Sequence, residues 1–446
     1  MQFTKALQHT IGWKTLNTIL TFFINLILVR ILGAEGSGDF FYSIALLSFF
    51  TLLISWSLEA GITYYGSKNV ESIASITIFV LPWLVVQAFV SGMLIQYLPI
   101  HTHPQLSWLY VLSNLVIIYC SALYYARKWF IPVNLLVCIV NAVVLFMLLW
   151  TYHFGGQGFE KLTDLVNEKI KLPHKSNNDN GVLLGHLIYF SGFFIQAILL
   201  ALVFFIKTGF KREITLYQPA LNRKIFIFSS IAFISNILFF LVTRIDYYFV
   251  QKYCSEIALS NYVQVSKMGQ LLVLLPSMMA GVIFPFSSGI QDKNYLEQLQ
   301  VLCRGIGLLF IPVSITVVLT GYWLFPWLFG NGFGMMYAAM LLYLPGFYCL
   351  SLVTLLAAHL AGNALLSRNM IASAIALLAV ITGDILLIPL WGIYAAAAVS
   401  SAAYFLCMVY LLLVYKNIIG SRPGLFFAWG RKDVQLILNR FKNSFF

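Results

Sequence analysis

Long apolar segments, separated by short polar ones, recur along the whole chain. Most of them run for about 20 residues or more, which is the length that an α-helix needs to cross the hydrocarbon core of a bilayer. They do not alternate in polarity as the strands of a membrane barrel would. Clusters of charges, Pro and Gly divide them and predict twelve transmembrane helices, at 11–29, 40–63, 73–98, 105–126, 131–152, 182–206, 225–250, 258–284, 301–325, 335–361, 369–390 and 392–415.

Composition supports a membrane protein and gives no sign of a bound metal or cofactor. Hydrophobic residues make up 61% of the 446 residues and charged residues only 9%, against about half and a quarter in soluble domains. The six cysteines form no C-x-x-C pair, and the seven histidines show no i, i+4 pair, so no zinc site or disulfide framework is indicated. A P-loop is absent, which excludes ATP hydrolysis through that motif. We expect no cofactor.

The distribution of Lys and Arg orients the chain. An even number of spans places both termini on one side, and nineteen of the 27 basic residues fall on that side against six on the other. Since basic loops stay in the cytoplasm, both termini are expected there. The net charge of +12 then faces anionic lipid headgroups, and it does not indicate nucleic-acid binding. We expect a multi-pass protein of a bacterial cytoplasmic membrane.

The spans divide into two sets of six. The predicted domains are an N-lobe at 1–206, a basic cytoplasmic linker at 207–224, a C-lobe at 225–416 and a basic amphipathic tail at 417–446. Shifting the first half by about 222 positions places Lys14 over Asn236 and Thr21 over Thr243, which indicates parallel repeats. Amphipathic stretches at 159–170 and 434–441 are expected to lie on the membrane surface or to bind partners.

Polar residues follow one face of several spans. Lys14, Thr18, Thr21 and Asn25 fall at i, i+4, i+7 and i+11 of span one, which places them on a single helix face. Span two has a similar stripe that ends at Glu59, and span seven has one that includes Asn236 and ends at Asp246. One interpretation is a shared aqueous cavity between the lobes. The alternative is that these side chains join neighbouring helices by hydrogen bonds.

Charged side chains inside the spans are the strongest functional candidates, because each costs several kcal/mol unless it faces water or a partner. Lys14, Arg244 and Lys267 are predicted to attract an anionic headgroup, together with the polar residues Thr18, Thr21, Asn25 and Asn236. The acidic residues Glu59, Asp246 and Asp384 are predicted to take up a proton or a sodium ion. Structural ion pairs between helices remain the alternative for each charged residue.

Several short motifs carry a family resemblance. The segment 29–40 after span one, Thr243 to Asp246 in span seven, Leu328 to Gly330 and the turn from Leu360 to Arg368 occur in order over nearly the whole chain. Together they resemble the polysaccharide (Wzx-type O-antigen or oligosaccharide) flippases of the multidrug/oligosaccharidyl-lipid/polysaccharide (MOP) exporter superfamily. The resemblance implies an all-α, MATE-like membrane bundle of two pseudo-symmetric six-helix lobes around a central cavity.

The same resemblance implies a function and its alternatives. The protein would flip undecaprenyl-diphosphate-linked oligosaccharide outward by alternating access, in surface polysaccharide assembly, with membrane lipids, H⁺ or Na⁺ and assembly proteins as partners. A MATE-type drug or cation antiporter and a lipid II flippase are the closest alternatives, although span two carries Glu59 where lipid II flippases carry basic residues. A membrane glycan polymerase or ligase is disfavoured by the short outer loop from Tyr152 to Gly181, and we expect no enzymatic activity.

Overall fold

The fold is known from a computed structural model that describes residues 3–68, 73–98, 104–127, 129–154, 177–208, 219–287, 293–363 and 365–427. Within these ranges the regular structure is helical and contains no strand. The α-helices are α1 Phe3–Ser55, α2 Leu58–Lys68, α3 Ile73–Leu94, α4 Pro104–Ala126, α5 Phe130–Phe154, α6 Asn177–Thr208, α7 Pro219–Tyr253, α8 Glu256–Ser287, α9 Lys293–Phe329, α10 Met336–Gly362 and α11 Leu366–Val414.

Two of these helices each contain two spans. Gly33 in α1 has φ 68° and Gly392 in α11 has φ 59°, a conformation that glycine adopts without the steric cost of a Cβ atom. Nine helices in the described ranges are long and apolar enough to cross a membrane. Dividing α1 and α11 at their glycines gives eleven spans in the described ranges. The predicted all-α membrane class is confirmed.

Span two is interrupted where the sequence predicts a continuous helix over 40–63. Trp56 and Ser57, between α1 and α2, have φ 53° and 49°, which costs an L-residue about 1–2 kcal/mol each. Tertiary contacts hold this break. The Trp56 ring stacks on Phe233 of α7 with centroids 4.3 Å apart, and its Nε1 donates to Ser230 Oγ at 2.9 Å.

The chain divides into two compact units, Met1–Ile237 and Leu238–Phe446. In the first unit α1 packs against α5, and α4 packs against both α2 and α6; in the second, α10 packs against both α8 and α11. The division falls inside α7, so the predicted domain limits at 206, 224 and 416 stay predictions. The amphipathic stretches at 159–170 and 434–441 lie outside the described residues, as does most of the predicted linker.

Close approach of α10 and α11 depends on a small residue. A Cβ atom on Gly346 would lie 2.7 Å from Ser401 Cα, a backbone atom that cannot move without displacing α11. Ser401 also donates from Oγ to Leu342 O at 2.7 Å. Small residues allow this kind of contact between membrane helices.

We therefore expect Gly346→Ala to destabilise the second unit by about 1–3 kcal/mol, because the added methyl group overpacks the interface. Gly334→Ala is the matched control, since nothing lies within 4 Å of the Cβ position at Gly334. The measurement is the thermal unfolding midpoint of the detergent-purified protein. Equal midpoints for the two variants would contradict the packing described here.

Candidate substrate and ion site

A buried carboxylate forms the centre of a polar cluster in the second unit. Asp246 of α7 is fully buried. Its Oδ1 accepts a hydrogen bond from the backbone N of Tyr247 at 2.9 Å. Its Oδ2 accepts from Tyr262 Oη of α8 and from Ser400 Oγ of α11 at 3.4 Å. Three helices therefore converge on one carboxylate.

Stacked tyrosines surround this carboxylate. The rings of Tyr262 and Tyr343 lie 6.1 Å apart and nearly parallel, at 12°, and Tyr343 stacks in the same way on Tyr404 at 6.1 Å. The hydroxyl groups of Tyr343 and Tyr404 are 3.3 Å apart. All three tyrosines are buried. They place a row of hydroxyl groups beside Asp246, where these groups can donate to a charge or pass hydrogen bonds along the row.

Two cationic side chains lie beside the tyrosines. Arg244 Nη1 donates to Tyr247 Oη and to Ser266 Oγ of α8 at 3.4 Å, and the guanidinium carbon is 4.9 Å from the centre of the Tyr247 ring. Lys267, the next residue after Ser266, is close enough to Arg244 for the two positive charges to interact. Both residues keep part of their surface exposed.

Asp384 of α11 is the second buried acid of the cluster. It has no exposed surface, and neither carboxylate oxygen has a hydrogen-bond partner among the described residues. It interacts electrostatically with Asp246. Two neighbouring carboxylates repel each other when both are ionised, and an ionised carboxylate without a hydrogen bond is costly in an apolar medium. A proton or a bound cation at Asp384 would remove both penalties.

The second unit thus brings together four predicted site residues, and their neighbours define what the site can do. Arg244 and Lys267 supply positive charge for an anion, whereas Asp246 and Asp384 supply a place for a proton or a cation. Arg244 and Asp246 both bond to Tyr247, Arg244 at its hydroxyl group and Asp246 at its backbone N, and the two charges also interact electrostatically. In the described part of the chain, no group of three or more His, Cys, Asp or Glu side chains could hold a metal ion.

The predicted stripe of span one lies on α1 in the first unit. Lys14 is exposed, and Asn25 is half-buried. The hydroxyl groups of Thr18 and Thr21 donate to the carbonyl groups of Lys14 and Asn17, each at 2.9 Å. These bonds remain within the helix and occupy the hydroxyl protons. Of the four residues, Lys14 is therefore the one with an exposed charge for a ligand.

A second group of polar residues in the first unit surrounds the break in span two. Asn236 Nδ2 donates to Ser57 Oγ at 3.1 Å. Glu59, in the first turn of α2, is half-buried, and its Oε2 has no hydrogen-bond partner in the described ranges. Tyr119 Oη, which interacts electrostatically with Glu59, donates to Gln87 Oε1 at 2.6 Å. Glu59 is therefore placed where it could take up a proton.

Sequence reasoning missed several members of these groups. Tyr343, Tyr404, Ser400 and Ser266 contribute to the second-unit cluster, yet each is a single hydroxyl residue in an apolar span. In the first unit, Asn17 Oδ1 accepts from Asn141 Nδ2 at 2.6 Å, an interhelical contact between α1 and α5. A signal was available for Asn17 and Asn141, because amide side chains inside spans usually form hydrogen bonds to neighbouring helices.

Comparisons with known proteins address the family. No curated protein sequence matches the chain. A family model described as "Polysaccharide biosynthesis protein" matches residues 190–338, which run from α6 to the start of α10.

Several solved structures are similar over most of the chain. A structure of the lipid II flippase MurJ in an inward closed conformation has a TM-score of 0.67 at 14% identity and covers 92% of this chain and 87% of that chain. An inward-facing multidrug resistance MATE family transporter of the MOP superfamily has a TM-score of 0.69 at 10% identity, with coverages of 92% and 98%. An outward-facing MATE family transporter of the same superfamily has a TM-score of 0.60 at 13% identity, with coverages of 93% and 96%. These findings confirm the resemblance predicted from the sequence: the chain has the multi-pass membrane fold shared by the transporters and flippases of the MOP superfamily.

Proposed function

We propose that this protein flips a lipid-linked oligosaccharide, carried on undecaprenyl diphosphate, across the cytoplasmic membrane of a bacterium for surface polysaccharide synthesis. A diphosphate-sugar headgroup cannot cross hydrocarbon unaided, because its charges and hydroxyl groups would lose their water. A transporter of this kind must therefore offer the headgroup a polar, cationic environment inside the membrane.

The observation that carries the proposal is the pairing of two cations with two buried acids in one cluster. Arg244 and Lys267 provide positive charge within apolar spans, which suits a diphosphate. Lys14 provides a further exposed cation on α1. The family model described as "Polysaccharide biosynthesis protein" includes both Arg244 and Lys267 within residues 190–338, which favours a glycan over other cargo.

The acids are proposed to couple transport to an ion gradient. Asp384 has no hydrogen-bond donor in the described structure and lies near Asp246, so uptake of a proton or a sodium ion changes the charge of the cluster. Glu59 is the corresponding candidate in the first unit. Alternating access requires two states that bind these ligands with different affinity. We propose that ion binding shifts the balance between them.

The remaining sequence predictions belong to the same proposal. Both termini are proposed to lie in the cytoplasm, on the distribution of basic residues, and the two six-span lobes would be joined by the linker at 207–224. Assembly proteins of the polysaccharide pathway are proposed partners, and no catalytic residue is assigned. Thr18, Thr21, Asn25 and Asn236 are proposed to line the translocation path together with Lys14.

Reconstituted vesicles test the proposal. The purified protein is placed in liposomes with fluorescent undecaprenyl-diphosphate oligosaccharide in both leaflets, and a membrane-impermeant reagent destroys the outer-leaflet label. With the protein present, we expect all of the label to become accessible over time; empty liposomes should protect about half. Protection of half the label in both samples would contradict a flippase.

Two alternatives are favoured by specific observations. A buried acid pair would also suit a drug or cation antiporter, and the fold is similar to that of multidrug MATE transporters. The fold is equally similar to that of the lipid II flippase MurJ, which favours a peptidoglycan precursor as cargo. The same vesicles distinguish these possibilities. An antiporter accumulates an organic cation without flipping lipid, whereas a lipid II flippase prefers lipid II to the undecaprenyl-diphosphate oligosaccharide.

A further inference from the structure

An apolar groove runs between α9 and α10 in the second unit, away from the charged cluster. Its volume is about 660 Å³. The α9 residues that line it recur at helical spacing and so form one face of that helix. Its wall is made of aliphatic and aromatic side chains with few polar atoms. The residues that define its length are Gly307, Ile311, Ser314 and Val318 of α9, and Leu341 and Tyr348 of α10.

The groove has a closed end. Tyr337 Oη of α10 donates to Val318 O of α9 at 2.9 Å. The two helices approach closely just beyond, where a Cβ atom on Gly321 would lie 3.0 Å from the Tyr337 ring. From Val318 the groove extends back along α9 to Gly307. The eleven positions between these residues correspond to about 16 Å along the axis of α9.

The Gly307 end of the groove lies toward one surface of the membrane. Arg304 precedes Gly307 by one turn on the same face of α9. Trp323, nineteen positions after Arg304, is 69% exposed. Tryptophan is enriched at membrane interfaces. The rise from Arg304 to Trp323 is about 28 Å, close to the ~30 Å thickness of the hydrocarbon core. Arg304 therefore marks one interface, and the groove extends from there to about mid-depth.

Arg304, one turn before Gly307, contacts the segment that follows α11. Arg304 Nη1 donates to Leu425 O at 2.7 Å, so the segment after α11 is held against the start of α9. Within that segment Leu425 N donates to Arg422 O at 3.0 Å, which brings Arg422 to the same end of the groove. Arg422 is exposed. Arg304 and Arg422 thus lie on neighbouring segments beyond the Gly307 end of the groove.

We propose that this groove is a binding site for an acidic phospholipid, with one acyl chain in the groove and the phosphate group at Arg304 and Arg422. A cleft that opens to the bilayer is filled by hydrocarbon, because apolar surface in water is unfavourable. The ~16 Å groove matches one leaflet, about half of the ~30 Å core. The arginines supply the attraction for an anionic headgroup. The proposal does not depend on which substrate the protein transports.

Native mass spectrometry of the delipidated protein tests this inference. Phosphatidylglycerol and phosphatidylcholine with the same acyl chains are added at equal concentration. We expect one phosphatidylglycerol per chain, bound at least tenfold more tightly than phosphatidylcholine. Ser314→Phe, which fills the groove, is expected to weaken binding by tenfold or more. Leu309→Phe is the matched control, since Leu309 is exposed on α9 but does not line the groove.

A second pair of variants tests the headgroup contact independently of groove filling. Arg304→Gln is expected to abolish the preference for phosphatidylglycerol while leaving acyl-chain binding, and Arg304→Lys is expected to retain the preference. Equal binding of the two lipids by the unaltered protein would overturn the proposal. Undiminished binding by a folded Ser314→Phe variant would do the same. Displacement of phosphatidylglycerol by equimolar undecaprenyl phosphate would also overturn it, because the occupant would then be a prenyl chain.

Discussion

Replacing both Arg244 and Lys267 with alanine is expected to reduce the rate of oligosaccharide flipping by a factor of about 100 or more. Each hydrogen bond to a charged group contributes about 1.5–3 kcal/mol, so the loss of two such contacts to a diphosphate corresponds to about 3–6 kcal/mol. Every 1.4 kcal/mol lowers the rate by a factor of about ten. Single replacements should lower the rate less. The measurement is the initial rate at which label becomes accessible in proteoliposomes.

Two controls separate binding from stability in this experiment. Lys252→Ala removes an exposed positive charge at the end of α7 and should leave the rate unchanged. Arg244→Lys keeps the charge but loses the planar donor geometry, so it should retain part of the activity. If the double variant is folded and flips at the rate of the unaltered protein, the headgroup assignment is wrong.

Replacing Asp384 with asparagine is expected to remove the response of flipping to an ion gradient. Asparagine has nearly the same shape but does not ionise, so the cluster can no longer change its charge by taking up a proton or a sodium ion. The measurement compares initial flipping rates with and without an imposed proton or sodium gradient. The unaltered protein should respond to one of the two gradients, and the variant to neither.

The control for this variant is another acid of the same unit. Glu256→Gln neutralises an exposed carboxylate in the first turn of α8 and should leave the gradient response intact. Asp246→Asn is expected to impair flipping as well, since Asp246 accepts hydrogen bonds from Tyr262 and Ser400. A gradient response that survives in Asp384→Asn would exclude this residue from coupling.

The spans were predictable because the physical requirement is simple. A helix must cover the hydrocarbon core with apolar residues, and this length can be counted in a sequence. The connections were less predictable. The limits predicted for spans one and two leave the glycine-rich segment 29–40 between them, whereas the structure keeps this segment helical apart from a kink at Gly33. The break at Trp56 and Ser57 contains neither Gly nor Pro, and contacts to α7, more than 170 positions away, hold it.

The charged part of the site was predictable for a similar reason. A charge in an apolar span is costly and therefore conspicuous, which identified Arg244, Asp246, Lys267 and Asp384 as candidates. The hydroxyl groups beside them were missed, because a tyrosine in a span is equally consistent with packing. Only the convergence of α8, α10 and α11 shows that Tyr262, Tyr343, Tyr404 and Ser400 meet there.

The polar stripe of span one illustrates the opposite difficulty. Helical spacing places Lys14, Thr18, Thr21 and Asn25 on one face, but spacing does not reveal which groups already have partners. The Thr18 and Thr21 hydroxyl groups donate to carbonyl groups of their own helix, a local arrangement that threonine adopts readily in membrane helices. Helical spacing alone therefore predicts more hydroxyl protons available to a substrate than the structure provides.

The central claim is that the charged cluster of the second unit is reached by water and by an anionic headgroup, and thiol labelling tests it most directly. In a cysteine-free background, Lys267→Cys is exposed to a membrane-impermeant thiol reagent, and Leu386→Cys, on an exposed apolar position of α11, serves as the lipid-facing control. We predict that the cysteine at position 267 reacts, that lipid-linked oligosaccharide protects it, and that the control does not react. An unreactive cysteine at position 267 from both sides of the membrane would contradict the account.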